Sequence, residues 1–527
     1  MSDGKRKHHI VSVTVLLYLF IYGVLSFRSL SVFPFIHSDE AWLAGLSLNI
    51  SESADFSVTE TFFNARLRYP HAIKILFHAL QVCFLHLFGY SPEVFRLLSL
   101  LAGLFVLFFF YKTAKQLFRN VYTAFGLMVL FSLDIQFIYA SHFARQEILI
   151  LLALVVCLFV FTKENNACTV KKALVLGGIT GLSVGLHPNS FIIACTIFFC
   201  YLAVFLHTRK SIVKPLCTYI GITGGIASLF VFLSYRFDPK FLTHYFSNGA
   251  VEFDIAAPPA ARLSGLFRFF GRLLSRTGGT YYVADIRFQI LLFAFTTLFL
   301  LFFYFVMRKE EPKFCENLLC LIFSGLGCVS GIYLIGRYSQ LSILFLFPVG
   351  WLLTGHFIKL FDPVLQKTGM LLLAIALLFL SAKEIQPYFH TVSYDSYLGQ
   401  IAAFVHPEDK VLGNLNMNFY FKNGALLDYR NLPYVMENQG SLEKYIEENQ
   451  IEYIFYTDEL TYYFEHRPYY NTIYGNIMFA EALKLYCEAE CEFLGSFENP
   501  QYAPRILELL GNEEYSTVYV YRTGCEN

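Results

Sequence analysis

Apolar residues fall along this chain in long unbroken runs, not in the alternation of a half-buried sheet or the periodic stripe of a soluble helix. Eleven such runs, at about 10–27, 93–111, 121–140, 147–162, 173–187, 190–206, 215–234, 287–307, 316–335, 340–358 and 368–382, are long enough to cross a hydrocarbon core roughly 30 Å thick. A further stretch, 71–88, carries His71, Lys74, His78, Gln81 and His86 and reads as a helix lying in the interface. Beyond residue 384 the runs stop. Strands are expected there at Lys410–Asn414, Ile451–Tyr456 and Thr517–Arg522, with a helix from Ser441 to Asn449. The expected architecture is a polytopic α-helical membrane portion, 1–384, with long outer loops at 28–92 and 235–286, followed by a soluble α/β domain, 385–527.

Basic residues orient the spans. With Lys5, Arg6 and Lys7 inside, eleven spans place Lys112/Lys115/Arg119, Lys163/Lys171/Lys172, Arg209/Lys210/Lys214, Arg308/Lys309/Lys313 and Lys359/Lys367 on the cytoplasmic side. The short outer loops hold only Arg145 and Arg337. That is the positive-inside pattern, and counting 71–88 as a span would invert it. The N-terminus is therefore expected inside and the C-terminal domain outside. The first apolar run is too long for a removable signal, and no small-residue cleavage site comes before Phe27-Arg28, so it reads as an anchor.

Composition agrees and adds one contrast. The chain has 527 residues, 56% hydrophobic and 15% charged; soluble domains carry about 25% charged residues. Lys+Arg and Asp+Glu number 40 each. The resulting zero averages residues 1–384, with 32 basic and 19 acidic side chains, and 385–527, with 8 and 21. No soluble basic domain exists for nucleic acid to bind. Most of the 12 cysteines lie in apolar runs or cytoplasmic loops; Cys487, Cys491 and Cys525 alone share the C-terminal region, where one pair could be oxidised.

With this topology the costly polar residues collect on the outer side. They are Asp39 and Glu40 in the first loop, His142, Arg145 and Glu147 at the second outer turn, His187-Pro188 at the third, and Arg337-Tyr338 at the fifth. Asp134 lies about two turns inside the third span from the same side, and ionisable groups in spans are functional candidates. Each has a plainer reading. Asp39-Glu40 suits the start of a helix at Ala41, Arg145 and Glu147 an interfacial ion pair, His187-Pro188 a polar turn, and Arg337 a snorkelling anchor. Their common sidedness favours one shared site. In the loop 235–286, Arg262, Arg268, Arg272 and Arg276 recur at near-helical spacing among Leu and Phe, as in a basic amphipathic helix that anchors at the surface or guards an anionic lipid.

The order of an outer Asp39-Glu40, a span ending in Lys115-Gln-Leu-Phe118, and then Tyr139-Ala…Ala144-Arg145-Gln146-Glu147 resembles the C-type glycosyltransferase superfamily. The likeness covers about residues 10–390 and points to the branch of protein O-mannosyltransferases and the bacterial aminoarabinose lipid A transferase. It implies an inverting transferase that takes a hexosyl or pentosyl group from a polyprenyl-phosphate carrier. The acceptor would be a lipid, glycan or protein on the outer face of a bacterial cytoplasmic membrane. Asp39 matches the acidic residue of the site and Glu40 its partner, while Glu147 stands where the family usually has Asp. Arg68, Arg145, His187 and Arg337 are the implied donor-phosphate contacts, with Asp134, His142 and Tyr338 as further site candidates. An inverting transfer needs a carboxylate base for the acceptor hydroxyl and cations for the leaving phosphate. No cofactor is certain, and a divalent metal stays open: there is no Asp-x-Asp, and Glu252-Phe-Asp254 is the nearest carboxylate pair. A polyprenyl-linked glycan transporter or flippase, or a non-catalytic assembly subunit, is the competing reading.

Overall fold

The computed structural model describes residues 3–164, 166–209, 211–253, 258–276, 282–307, 310–336, 338, 340–437, 440–466, 477–499, 501–502 and 515–524. The chain opens with α1 (Asp3–Arg28), then α2 (Ser38–Ser53) and α3 (Ile75–Phe88) in the first loop, and α4 (Pro92–Phe118). A broken pair follows, α5 (Val121–Ser132) and α6 (Ile135–Ser141), and then α7 (Glu147–Thr162) and α8 (Val170–Ser183). Next come α9 (Phe191–Thr208), α10 (Val213–Phe237), α11 (Phe241–Phe253) and α12 (Pro259–Ser275). The last helices of the apolar portion are α13 (Arg287–Met307), α14 (Pro312–Ile335), α15 (Phe347–Ile358) and α16 (Pro363–Ile385).

Among the described residues eight helices are long and apolar enough to cross a membrane, each matching an expected run. The other three expected spans differ. The run 121–140 is bent by 69° between α5 and α6. At the break Asp134 accepts from Gln136 N at 3.0 Å, and Ser381 donates to Leu133 O at 2.7 Å. Side chains thus satisfy backbone groups that a kink frees, the condition for breaking a helix inside an apolar medium. At 16 and 14 residues, α7 and α8 are only about 24 and 21 Å long. The interfacial expectation for 71–88 corresponds to α3, and the basic amphipathic segment to α12. Helix α12 lays Leu266, Phe269 and Leu273 on the protein and leaves Phe267 and Leu263 exposed.

Apolar faces of α10, α13 and α16 remain largely uncovered by protein, presenting Phe232, Leu291, Phe302, Leu371 and Phe379 outward as a lipid-facing surface needs. Inside, two helix pairs touch at glycines spaced four apart. A Cβ at Gly327 or Gly331 of α14 would stand 2.6 or 2.7 Å from the Cα of Thr196 or Ile192 in α9. Gly177 and Gly181 of α8 meet Tyr219 O and Ile226 of α10 in the same way. Close backbone approach of this kind replaces the hydrophobic drive that lipid does not supply.

After α16 comes a five-stranded sheet in the order β2-β1-β3-β5-β4, made of β1 (Val411–Gly413), β2 (Leu426–Asp428), β3 (Tyr453–Thr457), β4 (Glu492–Glu498) and β5 (Thr517–Arg522). β1 runs parallel to β2 and β3, and β5 antiparallel to β3 and β4. The three expected strands and the helix over Leu442–Glu448 are present. β2, only 3 residues long, and β4, with most side chains outward and an irregularity at Gly495, lacked a readable pattern. The core of this region draws on the first loop: Ile36, Ala41, Phe62 and Phe63 pack with Tyr397, Val411, Leu426, Phe455 and Val520. Hydrogen bonds tighten the union, with the backbone Asp428 N and the side-chain Asn431 Nδ2 donating to Phe62 O at 3.2 and 2.8 Å.

Substituting Gly327→Leu is expected to force α9 and α14 apart and cost about 1–3 kcal/mol or more. Thermal unfolding of the purified protein checks it, and Gly225→Ala in α10, where nothing lies within 4 Å of the added carbon, should not lower the midpoint.

Candidate active site

The first loop folds around one buried ion pair. Arg96, near the start of α4, and Glu40, in the first turn of α2, are both fully buried. All five guanidinium N–H groups are used: Nε and Nη2 donate to Glu40 at 2.7 Å each, Nη1 to Leu30 O and Pro34 O at 2.6 and 2.9 Å, and Nη2 also to Phe35 O at 3.3 Å. Glu40 in turn accepts from His37 N and Ala144 N, each at 2.9 Å. Helix α2 therefore starts at Ser38, three residues earlier than expected. His37 is its N-cap, and Glu40 closes the reciprocal capping box.

Glu40 is thus held on every side, while its neighbour Asp39 faces the other way with 22% of its side chain exposed. Arg145 Nη1 donates to Asp39 Oδ2 at 2.7 Å and Nη2 to Glu147 Oε1 at 3.0 Å, so one guanidinium joins the two carboxylates. Arg145 stands in the corner between α6 and α7, and Glu147 opens α7, where the helix dipole favours a negative charge. Glu147 is 2% exposed, and its Oε2 has no partner among the described residues.

A second group lies one turn along α2. Trp42 Nε1 donates to Glu60 Oε1 at 2.5 Å, and Arg68 makes a two-pronged pair with Glu60 at 3.2 Å on each prong. Burial alone would push the Glu60 carboxyl up, but the Arg68 guanidinium and the indole N–H outweigh it and hold Glu60 at about 2. The sequence-predicted residues thus separate. Asp39, Glu40, Arg145 and Glu147 come together at the end of the bundle beside the sheet region, and Arg68 joins Trp42 on the adjoining loop. His187 caps the short turn after α8 and accepts from Asn189 N at 3.1 Å. His142 is buried against Ser29 Oγ at 3.1 Å and Ile138 O at 2.8 Å. Asp134 serves the α5–α6 break and accepts from Trp351 Nε1 at 3.3 Å. Tyr338 donates to Arg262 O at 2.8 Å. Arg337, Asp254 and Cys525 lie outside the described residues, as does the side chain of Glu252.

Arg96, Glu60 and Trp42 were not singled out from the sequence. A lone arginine inside the run 93–111 was a usable signal for the first. Glu60 and Trp42 acquire meaning only through partners far along the chain. Among the described residues no three His, Cys, Asp or Glu side chains converge as metal ligands, and the Asp39–Glu147 pair is bridged by arginine instead.

No family model and no curated protein matches the sequence. Solved structures do match, and they show the fold: the chain has the C-type glycosyltransferase fold. It is similar to ArnT from Cupriavidus metallidurans bound to undecaprenyl phosphate (13% identity, TM-score 0.60, covering 97% of this chain and 98% of that one). The apo form of the same protein gives 14% and 0.57, over 86% and 94% of the two chains. The Archaeoglobus fulgidus oligosaccharyltransferase in its apo form gives 13% and 0.50, over 92% and 73%. At such identities the likeness is one of fold.

Replacing Arg96 by Met is expected to strand a buried carboxylate and cost about 3–5 kcal/mol, with the double variant Glu40→Gln/Arg96→Met losing less; thermal unfolding of both measures the difference. The Glu60 contribution has a defined acid limb. Because its folded value is depressed, the stabilisation is complete above the ordinary carboxylate range and drains away as pH falls from about 5 toward about 2. Thermal midpoints taken across that window should fall less steeply for Glu60→Gln than for the natural chain, and parallel curves would contradict the assignment.

Proposed function

We propose that the protein is an inverting membrane glycosyltransferase that moves a sugar from a polyprenyl-phosphate carrier to an acceptor hydroxyl. The reaction would run at the membrane face bearing the sheet region, the outer face of a bacterial cytoplasmic membrane. The observation that carries this reading is Arg145 gripping the half-open Asp39 and the buried Glu147 at the end of the bundle. The fold supports it, since ArnT with the same fold binds undecaprenyl phosphate.

In this reading Asp39, the most open of the three charged groups, is the base. It takes the proton of the acceptor hydroxyl as that oxygen attacks the anomeric carbon, and the bond from that carbon to the carrier phosphate breaks with its electron pair leaving on phosphate. Arg145 holds Asp39 in place and supplies positive charge to the departing phosphate, with Arg68, His187 and Arg337 as the further donor contacts. The buried, unpartnered Oε2 of Glu147 is the group that orients the acceptor. Glu40 acts only through Arg96 and the helix start, as a positioning residue.

Asp39→Asn is expected to lower turnover with a polyprenyl-phosphate sugar about 10²–10⁴-fold while the protein stays folded. Glu147→Gln should lower it less. Full transfer by both purified variants would remove this site from the mechanism.

A further inference from the structure

Two thiols meet where the last helix of the sheet region hands the chain to an edge strand. Cys487 lies in the helix Ile477–Glu490, Cys491 is the residue after it, and β4 begins at Glu492. Cys487 is 1% exposed and Cys491 half-buried. Both belong to one apolar cluster with Tyr429, Ile454, Tyr456 and Leu483. A spacing of four at the end of a helix turns both side chains to one face and sets the Cα atoms about 6 Å apart. A disulfide spans about 4.4–6.8 Å between Cα atoms. The two side chains are in hydrogen-bond contact, which pushes the Cys487 thiol up and holds the Cys491 thiol below its ordinary value. The more open thiol is therefore the better nucleophile, and the buried one stands next to it.

The place has a use for a covalent tie. β4 is an outer strand of the sheet, bonded to β5, and most of its side chains point outward. Side-chain packing thus holds it weakly, whereas Cys487 is rooted in the core beside β3. We propose that Cys487 and Cys491 are joined by a disulfide in the mature protein, made by exchange with a protein disulfide on the outer face. The Cys491 thiolate attacks one sulfur of that disulfide and the other sulfur leaves. Cys487 then attacks the Cys491 sulfur of the mixed disulfide, and the second sulfur of the oxidant leaves. The two thiol protons of this chain end on the oxidant, which departs as a dithiol while the pair is oxidised. The inference rests on the transferase reading only for the side of the membrane, since disulfides persist outside a bacterial cytoplasmic membrane and are rare within the cytosol.

Peptide mapping tests it. Trypsin releases residues 485–505 as one peptide holding both cysteines, and Cys525 falls in 523–527. Cells making the full chain are quenched in acid, their thiols are blocked with N-ethylmaleimide in denaturant, and the chain is purified and digested without reductant. Peptide 485–505 should carry no maleimide and weigh two hydrogen atoms less than its dithiol form. Dithiothreitol before blocking should give two adducts instead, and Cys525→Ser should keep the cross-link. Two adducts in the unreduced sample, or 485–505 joined to 523–527, would overturn the assignment. Free thiols in a chain that still transfers sugar fault this inference alone. A cross-linked chain without transfer activity faults the transferase reading alone.

Discussion

Everything around the proposed site depends on a guanidinium and a carboxylate that leave each other no spare bonding capacity. Arg96 and Glu40 are fully out of water, where an ion pair survives only if every remaining proton and lone pair finds a partner. Those partners are backbone groups: three carbonyls in the turn at 30–35, the N–H that begins α2, and the N–H of Ala144. A network of this kind is complete or costly, with little between. It therefore sets the turn after α1, the start of α2 and the corner before α7 in one step. That corner carries Arg145 and that helix start carries Asp39.

Adjacent carboxylates consequently have opposite fates. Glu40 points into the protein and is spent on architecture, whereas Asp39, about 100° further round the same helical turn, reaches the open side. Arg145 bridges it to Glu147, so two negative groups are held near each other without mutual repulsion deciding their positions. The neighbouring Trp42 group repeats the device with the signs exchanged, the three cations Arg66, Arg68 and Arg430 held together by aromatic rings and two carboxylates.

Much of the scaffold was legible as continuous apolar length. Eight spans follow from it, because a bilayer demands length and hydrophobicity from each span separately. The break itself was not legible: Asp134 stands out in the run 121–140, but the groups that relieve the break, Trp351 and Ser381, lie in other helices. The paired glycines were visible as spacings but acquire meaning only opposite Thr196, Ile192 and Tyr219. At the site, Arg145 and Glu147 could be found because they stand between two apolar runs, where charge is conspicuous, and Asp39 because it falls on the same side of the membrane as they do. Glu60 and Arg430 sit in polar stretches, where charge is ordinary, and nothing local marks their convergence on Trp42.

The shared core of the first loop and the sheet region bears on the order of synthesis. Phe62 finds its hydrogen-bond partner Asn431 369 residues later in the chain. At roughly 5–20 residues per second, Phe62 and Phe63 emerge about 20–70 seconds before the surface that buries them exists. Until then the loop bearing Asp39 lacks half of its support, and the neighbouring apolar helices insert first. The loop that carries Asp39 is thus among the first segments made and among the last to settle.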